Sequence, residues 1–283
     1  MSDRRALCVG INKFKNFPAA TLQGCVNDAN DMASVLKSFL GFTASDVAIL
    51  TDAQATKSAI MSILKAMVDG AVRGHYTHLV FTMSSHGTQV PDASGDEPDR
   101  ADEAFCTYDL AQSGNDWDPG YIIVDDELRD LFILLPSSVL LEVFLDTCHS
   151  GTGLKAVDLM LDRKPRFLAP PSVKALLLLE GRRSRGLARG LLEKGAAHNI
   201  LWAACRADQT SADANISDGW HGAFTYYFCK EIRSCKNSLS RAKLLQKIRA
   251  DLSAGHYNQV PQLECEAAER AQKPGYGSRQ FNS

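Results

Sequence analysis

The chain has 283 residues, of which 45% are hydrophobic and 23% are charged, and its formal net charge is −2. This composition is typical of a soluble globular protein with a sizeable core, and it excludes a low-complexity or strongly charged disordered chain. No window approaches the ~18 consecutive apolar residues of a membrane span, and the N-terminus carries no signal segment, so we expect a cytoplasmic protein without a membrane partner.

Short apolar runs alternate with helical patterns along the chain. Apolar runs at 6–11, 46–52, 77–85, 138–146 and 199–205 predict strands, and the run at 259–265 predicts an edge strand. Amphipathic patterns at 27–41, 56–72, 222–235 and 240–255 predict helices, the first capped by Asn27 or Asp28 and ended by Gly41. Such alternation indicates a single α/β domain over 1–283, with about six mostly parallel strands and helices on both faces of the sheet.

The chain contains eight cysteines, but no C-x-x-C pair and no spacing of a zinc module. Most lie in apolar runs, where a free cysteine behaves as a small hydrophobic residue. We therefore expect free thiols in a reducing compartment and single out only Cys148, in the stretch "VFLDTCHSG".

The formal charge is distributed unevenly. Positions 92–130 hold 13 acidic and 2 basic residues, whereas positions 155–195 hold 10 basic and 4 acidic residues. The basic stretch lacks the interleaved aromatic residues and the module of a nucleic-acid-binding protein, so no nucleic-acid partner is expected.

Two strands of the predicted sheet end in residues that could form a catalytic dyad. Cys148 needs a nearby base to become a thiolate, and His86 follows the strand 77–85 at the same expected edge of the sheet. His149 is adjacent to Cys148, but neighbouring side chains of an extended chain point to opposite faces, so we interpret it as a bystander. The backbone N–H groups of Gly87 and Cys148 could hold an oxyanion, and Gly87 and Gly151 indicate close backbone approach.

The motifs "SSHGTQ" and "FLDTCHSG" resemble the histidine and cysteine motifs of metacaspases and the related prokaryotic caspase-like proteases, the orthocaspases. Further matching blocks, in the family's order, are "LQGCVNDA", "GDEPDRADEAF", "IIVDDEL", "ACRADQTSAD" and "GAFTYYF". The resemblance implies a caspase-like three-layer sandwich, with a large-subunit region at 1–154, a linker or activation loop at 155–197 and a small-subunit region at 198–283. The cysteine motif of animal caspases, Q-A-C-x-G, is absent, which argues against cleavage after aspartate.

The resemblance also implies a pocket for the residue before the scissile bond, built from Asp28, Ser84 and Asp146. Asp146 lies two positions before Cys148, which would set a carboxylate beside the nucleophile, and a basic substrate residue would supply the missing charge. We expect cleavage after Arg or Lys. The alternative for Asp28 is a helix cap.

Metacaspases often need calcium, and the matching acidic positions are Asp102, Asp125 and Asp126. Carboxylate oxygens suit Ca²⁺ as an activator, although the chemistry itself requires no cofactor. A further acidic ligand of the family is matched by Lys155, with Asp158 three positions on, and Asp125 could instead cap a helix.

The stretch "EGRRSRGLARGLLEKG" at 180–195 has the composition of an exposed loop open to proteolysis. The candidate cleavage sites are Arg182, Arg183, Arg185 and Arg189. An arginine-directed enzyme would recognise this loop in its own chain, so we expect a zymogen activated by self-cleavage or by an upstream protease. The alternative is a merely solvated loop.

The leading interpretation is an Arg/Lys-directed cysteine endopeptidase that acts on proteins with exposed basic sites, with a role in regulated cell death or antiviral defence implied by the resemblance. A catalytically silent caspase-like scaffold and a redox-sensing thiol protein are the rivals. The scaffold does not need the dyad, and the thiol sensor leaves the pocket and the basic loop unexplained.

Overall fold

The protein is described by a computed structural model over residues 2–91, 101–149, 163–172, 199–217 and 219–278. In chain order the strands are β1 (Arg4–Gly10), β2 (Val47–Thr51), β3 (His78–Ser84), β4 (Gly87–Pro91), β5 (Ala101–Cys106), β6 (Gln112–Ser113), β7 (Asp116–Trp117), β8 (Ile122–Val124), β9 (Leu140–Asp146), β10 (Arg163–Pro165), β11 (Asn199–Ala203), β12 (Ala212–Ile216), β13 (Gly219–Gly222) and β14 (Gln262–Glu264). The α-helices are α1 (Cys25–Phe39), α2 (Lys57–Val72), α3 (Asp125–Phe132), α4 (Ala223–Cys235), α5 (Arg241–Ala254) and α6 (Ala267–Ala271).

A six-stranded sheet in the order β14-β11-β9-β3-β1-β2 forms the centre of the molecule. Its strands pair in parallel except β14, which is antiparallel to β11 at one edge. Strands β3 and β9 are buried along their whole length, because helices cover both faces and leave no polar side. The prediction of a mostly parallel sheet of six strands between helices is confirmed.

Side chains of each strand alternate between two hydrophobic cores. On β1, Leu7 and Val9 belong to the core that packs against α2 and α3, while Ala6 and Cys8 belong to the core beneath α1, α4 and α5. The helices therefore divide between the two faces, and their apolar faces fix the sheet between them.

The start of helix α1 differs from the expectation. The helix begins at Cys25, and the side-chain oxygen of Asn12 accepts hydrogen bonds from the backbone N–H groups of Cys25 (2.8 Å) and Val26 (3.4 Å). The predicted cap at Asn27 or Asp28 is therefore wrong. The first free N–H groups of the helix are capped by Asn12, which lies outside the helix. Asp28 lies within the first turn, and its side chain is available for another role.

Asp125 is not a cap either. Helix α3 begins at Asp125, and its N-cap residue is Val124, whose backbone N–H donates to the Glu127 side chain at 3.0 Å.

The other predicted elements occur with boundaries shifted by a few residues at most.

The register of the central strands brings the ends of β3 and β9 to the same edge of the sheet. Ser84, the last residue of β3, pairs with Asp146, the last residue of β9, and Gly10 of β1 pairs with Ser84. The segments that follow β3 and β9 therefore leave the sheet side by side, and they carry His86 and Cys148.

Two three-stranded sheets flank this edge, in the orders β4-β5-β8 and β10-β12-β13. The second one includes β10, a short piece of the basic stretch that pairs antiparallel with β12. All eight cysteines are free thiols, as expected. Among the described helices, none is both long and apolar enough to cross a membrane.

Candidate active site

Cys148 and His86 lie at equivalent positions beyond the paired ends of β9 and β3. The two backbones approach so closely at Gly87 that an added Cβ atom would lie 2.1 Å from the carbonyl oxygen of Cys148. Only glycine fits there. This contact agrees with the close approach expected at Gly87, whereas Gly151 lies outside the described residues.

The imidazole of His86 is oriented by one hydrogen bond. Nε2 lies 2.8 Å from the carbonyl oxygen of Ala20, and a carbonyl can only accept, so Nε2 carries the proton. Nδ1 is buried and has no hydrogen-bond partner among the described residues. Burial is the main reason that the pKa of His86 falls to about 4, so the ring is neutral near pH 7. A neutral ring with a free lone pair on Nδ1 can accept a proton.

His149 has a different environment. Its Nδ1 lies 3.1 Å from the carbonyl oxygen of Thr88, and its Nε2 lies 3.3 Å from the hydroxyl of Thr147. The ring packs edge-on against Phe105 with centroids 4.9 Å apart, and burial lowers its pKa. Both nitrogens are occupied, which supports the interpretation of His149 as a bystander.

The thiol of Cys148 is fully buried and donates a hydrogen bond to the carbonyl oxygen of Gln209 at 2.8 Å. Cys205, which lies 3.4 Å from the same oxygen, is hydrogen-bonded to Cys148, and this bond is the main reason that the pKa of Cys205 is raised. No sequence pattern predicted that Cys205 would lie here.

The residue that fills the site is Arg166, from the basic stretch. Its carbonyl oxygen accepts hydrogen bonds from the backbone N–H groups of Gly87 (2.9 Å) and Cys148 (3.2 Å), the two groups expected to hold an oxyanion. Its own N–H donates to the carbonyl of Ser211 at 2.9 Å. The backbone of Arg166 is thus held by three hydrogen bonds beside the cysteine and the histidine. The positive charge of Arg166 also lowers the pKa of His86.

The side chain of Arg166 enters an acidic pocket and is completely buried. Its guanidinium nitrogens lie 2.7 Å from Asp28, 2.9 Å from Asp213 and 3.3 Å from Asp146, measured to carboxylate oxygens. One nitrogen also donates to the backbone carbonyl of Asp146 at 3.1 Å. Buried charges need partners and hydrogen bonds of this kind, and here three carboxylates surround one guanidinium.

Each carboxylate of this acidic pocket is held by further donors. Asp28 accepts from the backbone N–H of Gly222 at 3.0 Å. An added Cβ at Gly222 would lie 2.2 Å from a carboxylate oxygen of Asp146, so glycine is required at this position. Burial is the main cause of a rise of the Asp28 pKa to about 7, so the pocket takes up a proton below neutral pH.

Asp146 and Asp213 are oriented in the same way. Asp146 accepts from the backbone N–H and the hydroxyl of Thr225, at 3.0 and 2.7 Å, and from the hydroxyl of Ser211 at 2.6 Å. Asp213 accepts from the backbone N–H groups of Gln23 (2.8 Å) and Gly24 (2.9 Å), directly before α1. The pocket is therefore fixed by α1, α4 and β12 together.

The structure brings together most of the residues expected from the sequence, with two additions. Asp28 and Asp146 lie in the acidic pocket, and Ser84 is buried beside Asp146 in the sheet. The hydrogen bonds described for the Arg166 side chain go to aspartates rather than to Ser84. Asp213 was missed, although it ends the block "ACRADQTSAD", and Arg166 was missed because it is one of ten basic residues between positions 155 and 195.

The expected calcium ligands lie on other elements than the residues of this pocket. The pairing of Ala104 with Val124 sets Asp102, on β5, near Asp125 and Asp126 at the start of α3. Asp102 and Asp125 are 3% and 1% exposed, and Asp126 pairs with Arg129 at 2.5 Å. Within the described ranges, no group of three or more His, Cys, Asp or Glu side chains is arranged to hold an ion. These three carboxylates do not form a calcium site by themselves, and calcium binding stays a prediction.

Other expected features fall outside the described residues. They are the acidic positions 92–100, Asp158 and the candidate cleavage sites Arg182, Arg183, Arg185 and Arg189. The expected division into large-subunit, linker and small-subunit regions also stays a prediction.

Comparisons with known proteins show the family and the fold of the chain. The caspase domain family matches residues 3–272. Metacaspase-1A of Aspergillus niger is 31% identical over 93% of this chain and 70% of its own length, and metacaspase-1 of Coccidioides immitis is 31% identical over 93% of this chain and 61% of its own. Among solved structures, a protein of Geobacter sulfurreducens has a TM-score of 0.64 at 23% identity, over 96% of this chain and 98% of that one. Caspase-1 of Spodoptera frugiperda has a TM-score of 0.59 at 14% identity, over 98% and 92%.

Proposed function

Since this chain belongs to the caspase domain family and is a caspase-like cysteine protease, we propose that it is an endopeptidase that cleaves after arginine or lysine. One observation carries the proposal: Arg166 lies in the site as a substrate residue would. Its guanidinium is surrounded by Asp28, Asp146 and Asp213, while its carbonyl accepts from the N–H groups beside the cysteine. A pocket with three carboxylates disfavours an acidic substrate residue.

The proposed chemistry follows from the atoms around the Arg166 carbonyl. Nδ1 of His86 takes the proton of the Cys148 thiol once this thiol has turned away from the Gln209 carbonyl, and the sulfur forms a bond to the substrate carbonyl carbon. The negative charge that develops on the carbonyl oxygen is stabilised by the N–H groups of Gly87 and Cys148. The imidazolium returns its proton to the leaving amine as the peptide bond breaks. Water then hydrolyses the acyl-enzyme, with His86 as the base.

The same contacts support latency of the intact chain. Since Arg166 occupies both the pocket and the N–H groups, a protein substrate must displace it. The chain would thus be a zymogen whose activation frees the site, by cleavage within the 155–197 linker, either by the chain itself or by an upstream protease. The arginines at 180–195 remain candidate cleavage sites. A role in regulated cell death or defence is part of the proposal and rests on the family resemblance.

Calcium as an activator is also proposed. Asp102, Asp125 and Asp126 would supply oxygen ligands, completed by acidic residues outside the described ranges. Processing and peptide cleavage should then fall on addition of a chelator and return with Ca²⁺ in excess. Equal rates with and without the chelator would exclude calcium as an activator.

Fluorogenic peptides that differ only in the residue before the scissile bond test the proposal. We expect arginyl and lysyl peptides to be cleaved at least ~100-fold faster than the aspartyl peptide, since a buried ion pair is lost with the latter. Cys148→Ala should abolish cleavage, and the matched variant Cys235→Ala, which alters a thiol far from the site, should not. An arginyl chloromethyl ketone should label the unaltered chain and not Cys148→Ala.

The rival interpretations give other results. A catalytically silent scaffold would cleave none of the peptides. A redox-sensing thiol protein would react at Cys148 with general thiol reagents and cleave none of them. Faster turnover of the aspartyl peptide would contradict the proposed specificity.

A further inference from the structure

The residues before Arg166 lie along the site as an added strand. Strand β10 pairs antiparallel with β12, with Arg163 opposite Ala214 and Pro165 opposite Ala212. The hydrogen bond from the N–H of Arg166 to the carbonyl of Ser211 continues this ladder. Addition of a strand to a sheet is a common mode of peptide recognition, in which backbone hydrogen bonds give affinity and side-chain subsites give selectivity.

The subsite at the far end of this strand holds a second arginine. The guanidinium carbon of Arg163 lies 3.8 Å from the ring centroid of Tyr257. Two of its nitrogens donate to backbone carbonyls, one to Gly255 and one to His256, each at 2.8 Å. The guanidinium is thus stacked on an aromatic ring and hydrogen-bonded at its edge.

Local structure explains why this place favours a cation. Gly255 is the C-cap residue of α5, so its carbonyl and that of His256 lie just beyond the helix end, where carbonyls lack helical partners and the helix dipole is negative. Tyr257 is supported by Tyr227, whose ring meets it edge-on with centroids 6.1 Å apart. An added Cβ at Gly255 would lie 2.8 Å from both tyrosines, so glycine permits this packing.

The residues between the two arginines have no comparable site. Lys164 is exposed, and its ammonium group lies 3.5 Å from the carbonyl of Thr21, at the limit of a hydrogen bond. Pro165 is half-buried. Selectivity along this strand is therefore concentrated at positions 163 and 166.

We propose that Tyr257, with the carbonyls of Gly255 and His256, forms a specificity subsite for arginine at the fourth residue before the scissile bond. The substrate class is then a peptide segment of the form Arg-x-x-Arg, cut after the second arginine. This inference rests on the proposed function, which supplies the site for the second arginine. The first arginine adds selectivity through the aromatic face and the two carbonyls.

Four fluorogenic tetrapeptides test the subsite with the full chain: Arg-Lys-Pro-Arg, Ala-Lys-Pro-Arg, citrulline-Lys-Pro-Arg and Arg-Lys-Pro-Gln. The ratio of kcat/KM values between two peptides does not depend on the active fraction of the preparation, because both peptides meet the same enzyme. We expect Arg-Lys-Pro-Arg to exceed the alanyl and citrullinyl peptides by roughly tenfold, since citrulline keeps the shape of arginine without its charge.

Tyrosine variants tie this ratio to the subsite. Tyr257→Ala should reduce the ratio to below about threefold, and Tyr257→Phe should keep most of it, because the ring face remains. Tyr121→Ala, which removes an exposed ring elsewhere, is the matched control and should leave the ratio unchanged. The comparison of the arginyl and citrullinyl peptides uses the unaltered chain, so it tests the arginine subsite even if Tyr257→Ala does not fold.

The outcomes separate this inference from the proposed function. Equal turnover of the first three peptides, all faster than Arg-Lys-Pro-Gln, would overturn the arginine subsite and leave cleavage after arginine standing. Cleavage of Arg-Lys-Pro-Gln as fast as Arg-Lys-Pro-Arg, or no cleavage of any peptide by chain that has been cut within the 155–197 linker, would overturn the proposed function and the subsite with it.

Discussion

The two ends of Arg166 lie in environments of opposite character. Its carbonyl faces the end of the sheet, where His86 is neutral and two backbone N–H groups point at one oxygen. Its guanidinium lies in the acidic pocket among three carboxylates that are each held by further donors. The difference indicates that one set of groups cleaves the peptide bond and a separate set selects the substrate residue before that bond. Substitutions on one side should therefore leave the function of the other side intact.

The largest effect is expected on the histidine side. His86→Ala removes the base, so kcat for an arginyl peptide should fall by about 10³-fold, within the range for a general base, while KM stays within about threefold. His149→Gln is the matched control and should lower kcat by less than about tenfold, because its ring is held by Thr88 and Thr147. A large loss in His149→Gln with an active His86→Ala would reverse the assignment of the two histidines.

On the acidic side, Asp213→Asn should change affinity rather than chemistry. It removes one of three charges from the guanidinium site and keeps an oxygen for one of the N–H groups of Gln23 and Gly24, which bond to different oxygens of the carboxylate. We expect kcat/KM for arginyl peptides to fall by about 10- to 100-fold, mainly through KM. The exposed neighbour Asp208→Asn should have no effect. An unchanged KM, or a loss confined to kcat, would show that the two sides are not separable.

Arg166 joins the two sides, and its substitution should give a smaller effect of opposite sign, an increase in the rate of cleavage. Arg166→Ala removes the side chain that fills the acidic pocket, so unprocessed chain should cleave arginyl peptides about tenfold faster. Lys164→Ala alters an exposed side chain of the same strand and should leave the rate unchanged. Equal rates for Arg166→Ala and the unaltered chain, in preparations shown by electrophoresis to be uncut, would refute latency through this residue.

The two sides also differ in how far the sequence predicts them. The histidine side follows from local patterns, because apolar strands of similar length end in "SSHG" and "DTCHSG" and parallel strands present their carboxyl ends at one edge. Asp146 was predicted for a similar reason, since it is two positions from the nucleophile.

The rest of the acidic side depends on tertiary contacts that no local pattern specifies. Asp28 was expected in the pocket from the family resemblance alone, and its local sequence equally suggested a helix cap, because Asn12, whose side chain caps this helix, lies outside it. Asp213 reaches the pocket through the pairing of β12 with β10 and β13. Arg166 is one of ten basic residues at 155–195, and only the fold shows which of them meets the carboxylates.

The smallest expected effect is a change in the pKa of His86 that does not occur at His149. Burial is the main reason that the pKa of His86 lies at about 4, and the positive charge of Arg166 lowers it further. Arg166→Ala should let water reach the ring and raise this pKa by about one unit or more toward its ordinary value of about 6.5. His149, buried against Phe105, should keep its lowered pKa in both chains.

Nitrogen-15 NMR of the imidazoles over pH 4–8 measures both quantities and reports which nitrogen is protonated. In the unaltered chain His86 should remain the neutral Nε2–H form through most of this range, because Ala20 accepts that proton. A neutral Nδ1–H form would contradict its role as base, since Nδ1 could not take the thiol proton. Equal pKa shifts of His86 and His149 in Arg166→Ala would indicate a general loosening of the fold rather than the opening of one site.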